Sequence, residues 1–217
     1  MIYRGAYYSD LLSIVEIHRK LLGGMGAEFL PKLGRKCLFD LYAHLFSMEP
    51  DGFVVAQHGS NIVGFLVGVT DTRKMIRVLP KIFIKIIFRF YDDLEMNIFE
   101  FFSQGLSNLI YIIKRGKNDA KAELLDIAVD KEYQGKGMGT HLSLLFFRFL
   151  ENHGVDKVQV LVDDRWKQAL LFYVSIGFKP VKLMEKPNGN MWVMVKKIRN
   201  NNVKRTPKHR SDLLPLS

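Results

Sequence analysis

The sequence predicts one α/β domain, and three stretches carry that reading. Residues 123–154 open with an alternating apolar segment, Leu125, Ile127 and Val129. They then pass through a glycine-rich turn and continue as the amphipathic run HLSLLFFRFLENHG, which is the pattern of strand, loop and helix. Residues 157–162 form a second β-rich run that leads into a helical stretch at 169–178. Earlier in the chain, 53–57 and 62–69 are apolar runs joined by the hairpin loop His58-Gly59-Ser60-Asn61.

The turn inside the first stretch reads Gln134-Gly135-Lys136-Gly137-Met138-Gly139. Glycines open backbone conformations closed to other residues, so several N–H groups can converge at the positive end of the next helix, and such a nest binds phosphate. Spacing excludes two common phosphate binders. A dinucleotide fingerprint needs a third glycine three residues after a Gly-x-Gly pair, whereas Gly137-Met138-Gly139 is followed by Thr140, His141 and Leu142. A nucleoside-triphosphate loop ends in Gly-Lys-Ser/Thr, which does not occur in the chain.

The pattern Gln134-x-x-Gly137-x-Gly139 instead resembles motif A of the GNAT superfamily of acyl-CoA-dependent N-acyltransferases. Downstream, in the right order, Ala169-x-x-x-Tyr173-x-x-x-Gly177-Phe178 resembles the superfamily's motif B. The resemblance implies an α/β GNAT fold: a mixed, mostly antiparallel sheet of about six to seven strands flanked by helices, here with a helical insert between the third and fourth strands. It also implies acetyl-CoA as the acyl donor. The strand end at Ile127, Ala128 and Val129 and the turn at Gln134, Gly135, Lys136, Gly137, Met138, Gly139 and Thr140 would hold that donor.

Length and composition bound the rest. With 217 residues, 48% of them hydrophobic, the chain can bury one good core. A single cysteine, Cys37, excludes a disulfide framework or a cysteine-cluster metal site within one chain, and it reads as a half-buried structural thiol. The scattered histidines imply no metal. No leader pattern opens the sequence and no apolar run reaches the ~18 residues of a spanning helix, so the cytoplasm is the default compartment. The net charge of +10 and pI near 9.6 draw the chain to polyanions, which could be CoA, nucleic acid or an anionic membrane face.

Taken in order, residues 1–8 predict a first strand, and Ser9 is placed to cap a helix over 10–22 whose Ile14, Ile17 and Leu21 share a face. Gly23-Gly24-Met25-Gly26 ends it, and a second helix over about 36–48 turns Leu38, Leu41, Tyr42 and Leu45 inward. In GNAT relatives the link between these helices walls the acceptor site, here 23–34 with Met25, Glu28 and Phe29. His18 and His44 read as surface or structural side chains. After 178, the segments 180–184 and 191–197 predict the last two strands about a turn at 186–190. The domain then spans 1–198, and 199–217 read as a basic, disordered tail.

About fifty residues, 71–120, separate the third and fourth strands, where relatives have a short turn. Arg73, Arg77, Lys81, Lys85 and Arg89 recur every four residues, and on a helix each such step drifts only about 40°, giving one basic stripe beside an apolar remainder. Pro80 is expected to begin a second helix or kink the first. The stripe is either solvated or meets something acidic: a phosphate-bearing acceptor, a peripheral membrane surface or an acyl carrier protein, with a homodimer interface as a third choice and nucleic acid ranked behind these. The insert leads straight into the fourth strand, so it must lie near that strand's starting end.

The chemistry needs a free amine. An alkylamine titrates near pKa ~10.4 and attacks a thioester only through its free lone pair, so a nearby carboxylate, directly or through water, can take the proton, an effect worth roughly 10² to 10⁴ in rate. Glu123 lies eleven residues before Gln134, matching the general-base glutamate of histone-acetyltransferase members, and Asp126 is the second candidate, expected on the opposite face of the strand. The span from Glu123 to Val129 is roughly 20 Å, about the reach of a pantetheine arm, which brings the thioester near Glu123. The resemblance implies an oxyanion donor in the backbone N–H groups near Ile127 and a general acid in Tyr173. Seven residues before Tyr173, where many relatives carry a CoA-contacting asparagine, stands Trp166, which could stack on the donor but for which the usual hydrogen bond is not assumed. The sequence reading is therefore an N-acetyltransferase acting on a primary amine, more readily of a small molecule such as an amino sugar than of a protein. Its rivals are a long-chain acyltransferase using acyl-CoA or acyl carrier protein, and a non-catalytic acyl-CoA-binding protein docked on membrane or nucleic acid.

Overall fold

The computed structural model describes residues 1–22, 34–89, 120–185 and 189–198, with the side chains at 79, 81–83 and 86–89 excepted. Seven strands form one sheet: β1 (Ile2–Gly5), β2 (Phe53–His58), β3 (Asn61–Val69), β4 (Ala122–Val129), β5 (Lys157–Asp163), β6 (Lys179–Met184) and β7 (Met191–Lys197). Their order is β1-β2-β3-β4-β5-β7-β6. The helices are α1 (Leu11–Leu22), α2 (Arg35–Met48), α3 (Thr72–Arg89), α4 (Met138–Asn152) and α5 (Lys167–Ser175). All strand pairs are antiparallel except β4 with β5, which are joined by the crossover helix α4 that a parallel pair requires.

The period of two along β3 divides the core. Phe65, Val67 and Val69 pack with Leu11, Ile14, Leu38, Leu41 and Tyr42 of α1 and α2, whereas Leu66 packs with Leu142, Phe146 and Leu150 of α4 on the other face. Each such fully buried side chain contributes about 1.5–3 kcal/mol. The sheet is thus a rigid wall with α1 and α2 on one side and α4 and α5 on the other.

Two expectations are corrected, and the two alternatives at Pro80 are narrowed to the one in which it does not begin a helix. Ser9 does not cap α1; a 3-10 turn, Tyr8–Asp10, precedes it, and the Asp10 carboxylate accepts the Tyr7 backbone N–H at 2.7 Å while gripping Arg4 at 2.6 and 3.1 Å. A charged acceptor there outbids a hydroxyl. Cys37 is fully rather than half buried. Pro80 lies inside α3, which continues past it, at the cost of one helical hydrogen bond.

The start of α3 is fixed. The Asp71 carboxylate accepts the Arg73 N–H at 2.9 Å, the Thr72 N–H donates to the Lys121 carbonyl at 2.9 Å, and Met75 is buried. The helix therefore begins beside the start of β4 and packs Met75 and Val78 on the α1/α2 core. Arg73, Lys74, Arg77, Ile84 and Lys85 are exposed along it. The side chains of Lys81 and Arg89, the piece over 92–113, the acceptor-side link at 23–33 and the tail lie outside the described residues. Among the described residues no helix is long and apolar enough to cross a membrane.

Candidate active site

β4 and β5 share only three paired positions, Ala122 with Val158, Glu123 with Gln159 and Leu124 with Val160. Beyond these, β4 stays with β3 as far as Val129, and β5 stays with β7 as far as Asp163. The pairing of the two central strands therefore ends at Leu124 and Val160, and the rest of β4, up to the glycine turn, is not paired with β5. From that point, backbone groups of β4 that face β5 have no ladder partner there. A strand edge of this kind can accept an extended, amide-bearing chain.

The divergence begins where β4 is irregular. Val67 of β3 pairs with Asp126 and its neighbour Gly68 pairs with Leu124, so Leu125 is an extra residue. A bulge bends its strand and resets which face each later side chain occupies. Asp126, expected on the opposite face from Glu123, is on the same one: Glu123 pairs with Val69 and Asp126 with Val67, two residues of one β3 face that both enter the α1/α2 core. The correction follows from the inserted residue, because strict alternation would separate positions three apart.

The two carboxylates sit in different surroundings. Glu123 is 3% exposed, lies in the closed part of the β4/β5 pair and accepts a hydrogen bond from Gln159 Nε2 at 3.0 Å. Asp126 is half-buried, lies past the point of divergence and accepts the Tyr42 hydroxyl at 2.9 Å. Tyr42 Oη is also 2.8 Å from Nδ1 of His18, a buried histidine on α1. Burial and the Asp126 charge hold the Tyr42 hydroxyl well above the usual tyrosine range, while burial pushes His18 below the usual histidine range.

Tyr173, on α5, is buried in the other core, among Phe172 and Phe178. Its hydroxyl is pushed far above the ordinary tyrosine value, chiefly by burial and secondly by the charge of Asp126. Tyr173 and Asp126 thus lie within electrostatic reach although they belong to opposite layers of the sheet. Trp166 comes directly before α5, three residues beyond the end of β5, and its half-buried side chain packs against the same core as Tyr173.

At the open end, Gly135 and Gly137 have φ of 73° and 75°, the left-handed region that favours glycine. Gly137 caps α4, whose first residue is Met138. A Cβ on Gly139 would stand 3.1 Å from the Phe172 ring, so this position sets how closely α4 approaches α5. Gln134 is exposed and donates Nε2 to the Val129 carbonyl at 2.8 Å, which fastens the turn to the end of β4. Lys136 donates to the Glu132 carbonyl at 3.0 Å and lies over the Tyr133 ring. Thr140 is exposed in the first turn of α4, and Ile127 and Val129 pack toward that helix while Ala128 faces the other core.

A family model described as the acetyltransferase (GNAT) family matches residues 25–178. The chain belongs to the GNAT acetyltransferase family. No curated protein sequence is significantly similar to it. Among solved structures, the GNAT chain is similar to one titled SsHAT, at 18% identity and a TM-score of 0.67 over 91% of this chain and 98% of that one. It is similar to Ard1 from Thermoplasma volcanium, at 17% identity and a TM-score of 0.59 over 91% of this chain and 97% of that one. It is also similar to Naa20 from Chaetomium thermophilum, solved with a bisubstrate analogue, at 14% identity and a TM-score of 0.59 over 93% and 88% of the two chains. At these identities the likeness is one of fold.

Two residues of this GNAT site carry no motif. Tyr42 is legible in the sequence only as an inward-facing position of α2, and His18 only as a helical histidine. The available signal was Asp126 itself, since an acid in the middle of an apolar strand needs a donor from somewhere.

Proposed function

We propose that this chain is an N-acetyltransferase that moves an acetyl group from acetyl-CoA to a primary amine, and that the amine belongs to a small molecule such as an amino sugar or other metabolite. The observation that supports it most is the opening between β4 and β5. Asp126 stands on one layer beside it, Tyr173 on the other, and the left-handed glycine turn lies at its mouth.

In this reading the N–H groups of the turn and the start of α4, with Lys136, hold the phosphates, and the unpaired edge of β4 holds the pantetheine arm. Asp126 takes the proton of the acceptor amine, because it lies where the strands have parted, whereas Glu123 lies where they are still joined. Negative charge developing on the thioester carbonyl oxygen is stabilised by backbone N–H near Ile127. The Tyr173 hydroxyl, kept protonated by its raised pKa, donates to the leaving sulfur. Asp126 contributes to that raised pKa, so its neutralisation by the amine proton makes Tyr173 a stronger acid as the thiolate departs.

The exposed Arg73, Lys74, Arg77 and Lys85 of α3 support a second reading, in which an acyl carrier protein or a long-chain acyl-CoA is the donor. Release of free CoA thiol from acetyl-CoA and from a long-chain acyl-CoA, measured with amino sugars, polyamines and short peptides bearing free amino termini, tests both. Turnover with the small amines supports the proposal, turnover with peptides alone moves the acceptor to proteins, and turnover only with a long-chain donor supports the second reading.

A further inference from the structure

The geometry points to Tyr42 and His18 as positioning residues that aim the Asp126 carboxylate at the acceptor amine, through a directed chain of hydrogen bonds running from α1 across α2 to β4. The inference rests on the reading of Asp126 as the base.

The direction of the chain follows from counting protons. A tyrosine hydroxyl has one hydrogen, and Tyr42 gives it to Asp126 Oδ2 at 2.9 Å. The 2.8 Å contact between Tyr42 Oη and His18 Nδ1 can then be a hydrogen bond only if Nδ1 carries the proton. His18 is therefore the Nδ1–H tautomer with a bare Nε2. That assignment agrees with the surroundings of Nε2, which is buried and has no hydrogen-bond partner. A bare acceptor there leaves one lone pair unused, whereas the opposite tautomer would bury a donor and reverse the Tyr42 hydrogen, removing the donor from Asp126. Burial also pushes the His18 pKa down, which keeps the ring neutral.

Both helices hold this chain firmly. His18 and Tyr42 are 1% and 2% exposed, and the Tyr42 ring packs edge-on against Phe53 and Phe65. The titratable groups around Asp126 among the described residues are Tyr42 from α2, His18 from α1, Tyr173 from α5 and Glu123 on its own face of β4. Of these, Tyr42 makes the hydrogen bond to it, so the orientation of the carboxylate is set from the α1/α2 side, the side on which the sequence places the acceptor wall.

The test combines nitrogen-15 NMR of His18 with kinetics of Tyr42→Phe, His18→Leu and His18→Asn, alone and in an Asp126→Asn background. Nδ1 is expected to show the protonated nitrogen shift and Nε2 the bare one. A hydrogen bond to a charged group supports a loss of about tenfold to a hundredfold in kcat for Tyr42→Phe, with the acetyl-CoA dissociation constant unchanged. His18→Leu is expected to lower kcat in the same way, and His18→Asn, which keeps a donor near the Nδ1 position, to restore much of it. None of the three is expected to lower kcat further once Asp126 is Asn. An Nε2–H tautomer, or kcat losses that persist undiminished in the Asp126→Asn background, would overturn the positioning role while leaving Asp126 as base. Full activity in Asp126→Asn alone would overturn the base and the positioning role together. The NMR readout needs no activity and no substitution, so it stands even if a variant fails to fold.

Discussion

Glu123 and Asp126 face the same side of β4, three positions apart, because Leu125 is an extra residue opposite the Val67–Gly68 step of β3. The bulge and the parting of β4 from β5 occur at the same level of the sheet. One irregularity thus brings a second carboxylate to the face that Glu123 occupies and coincides with the end of β4–β5 pairing.

The two acids are expected to separate on substitution. Asp126→Asn should lower kcat by about 10² to 10⁴, the range for loss of a general base. Glu123→Gln can keep its contact with Gln159 by rotating its amide, and should cost less than tenfold in kcat. Steady-state kinetics of the two variants check this, and the reverse order would return the base to Glu123.

Tyr173→Phe removes the proton offered to sulfur but keeps the ring among Phe172 and Phe178. A fall of about 10² in kcat with an unchanged dissociation constant for acetyl-CoA is expected. Stopped-flow thiol release alongside calorimetry measures both. Equal loss of binding and rate would make Tyr173 a packing residue.

Burial lowers the pKa of His18, so the unfolded state, with a histidine near pKa ~6.5, binds more protons than the folded state as pH falls below that value. The stability tied to neutral His18 is thus complete above pH ~6.5 and is lost as pH falls toward the lowered folded value, at no more than about 1.4 kcal/mol per pH unit. Thermal unfolding between pH 7.5 and 5 should show this slope, and His18→Asn should flatten it. An unchanged slope in the variant would assign the acid loss to other groups.

The Gly139→Val side chain would meet the Phe172 ring, since even a Cβ would lie 3.1 Å from it, and should weaken acetyl-CoA binding by moving α4 away from α5. Calorimetry on this variant should show a raised dissociation constant, whereas wild-type affinity would mean that the ring yields without moving the helix.

The glycine turn, the tyrosine of α5 and the strand and helix order were legible because each is written in short, local spacing: Gln134-x-x-Gly137-x-Gly139, Ala169-x-x-x-Tyr173, and the periods of two and 3.6. The bulge at Leu125 was not, because an extra leucine beside Leu124 leaves β4 reading as an apolar strand while it turns Asp126 to the face of Glu123. The His18–Tyr42–Asp126 chain joins residues 24 and 84 positions apart, so only the packing of α1 and α2 on β4 brings it into being. The start of α1 is not legible at Ser9 because Asp10 reaches backward to the Tyr7 N–H and also pairs with Arg4 of β1, a contact that sequence spacing does not show.

The most direct test of acetyl transfer at this site is calorimetric titration of CoA, acetyl-CoA and a long-chain acyl-CoA into the wild-type protein and Gly137→Glu. The substitution places a carboxylate where phosphates are expected and forces a side chain onto a φ of 75°, a left-handed conformation that costs about 1–2 kcal/mol. Micromolar binding of acetyl-CoA, no tighter for the long chain and abolished by Gly137→Glu, is the predicted result. Absence of binding by all three, or binding that Gly137→Glu leaves intact, would contradict it.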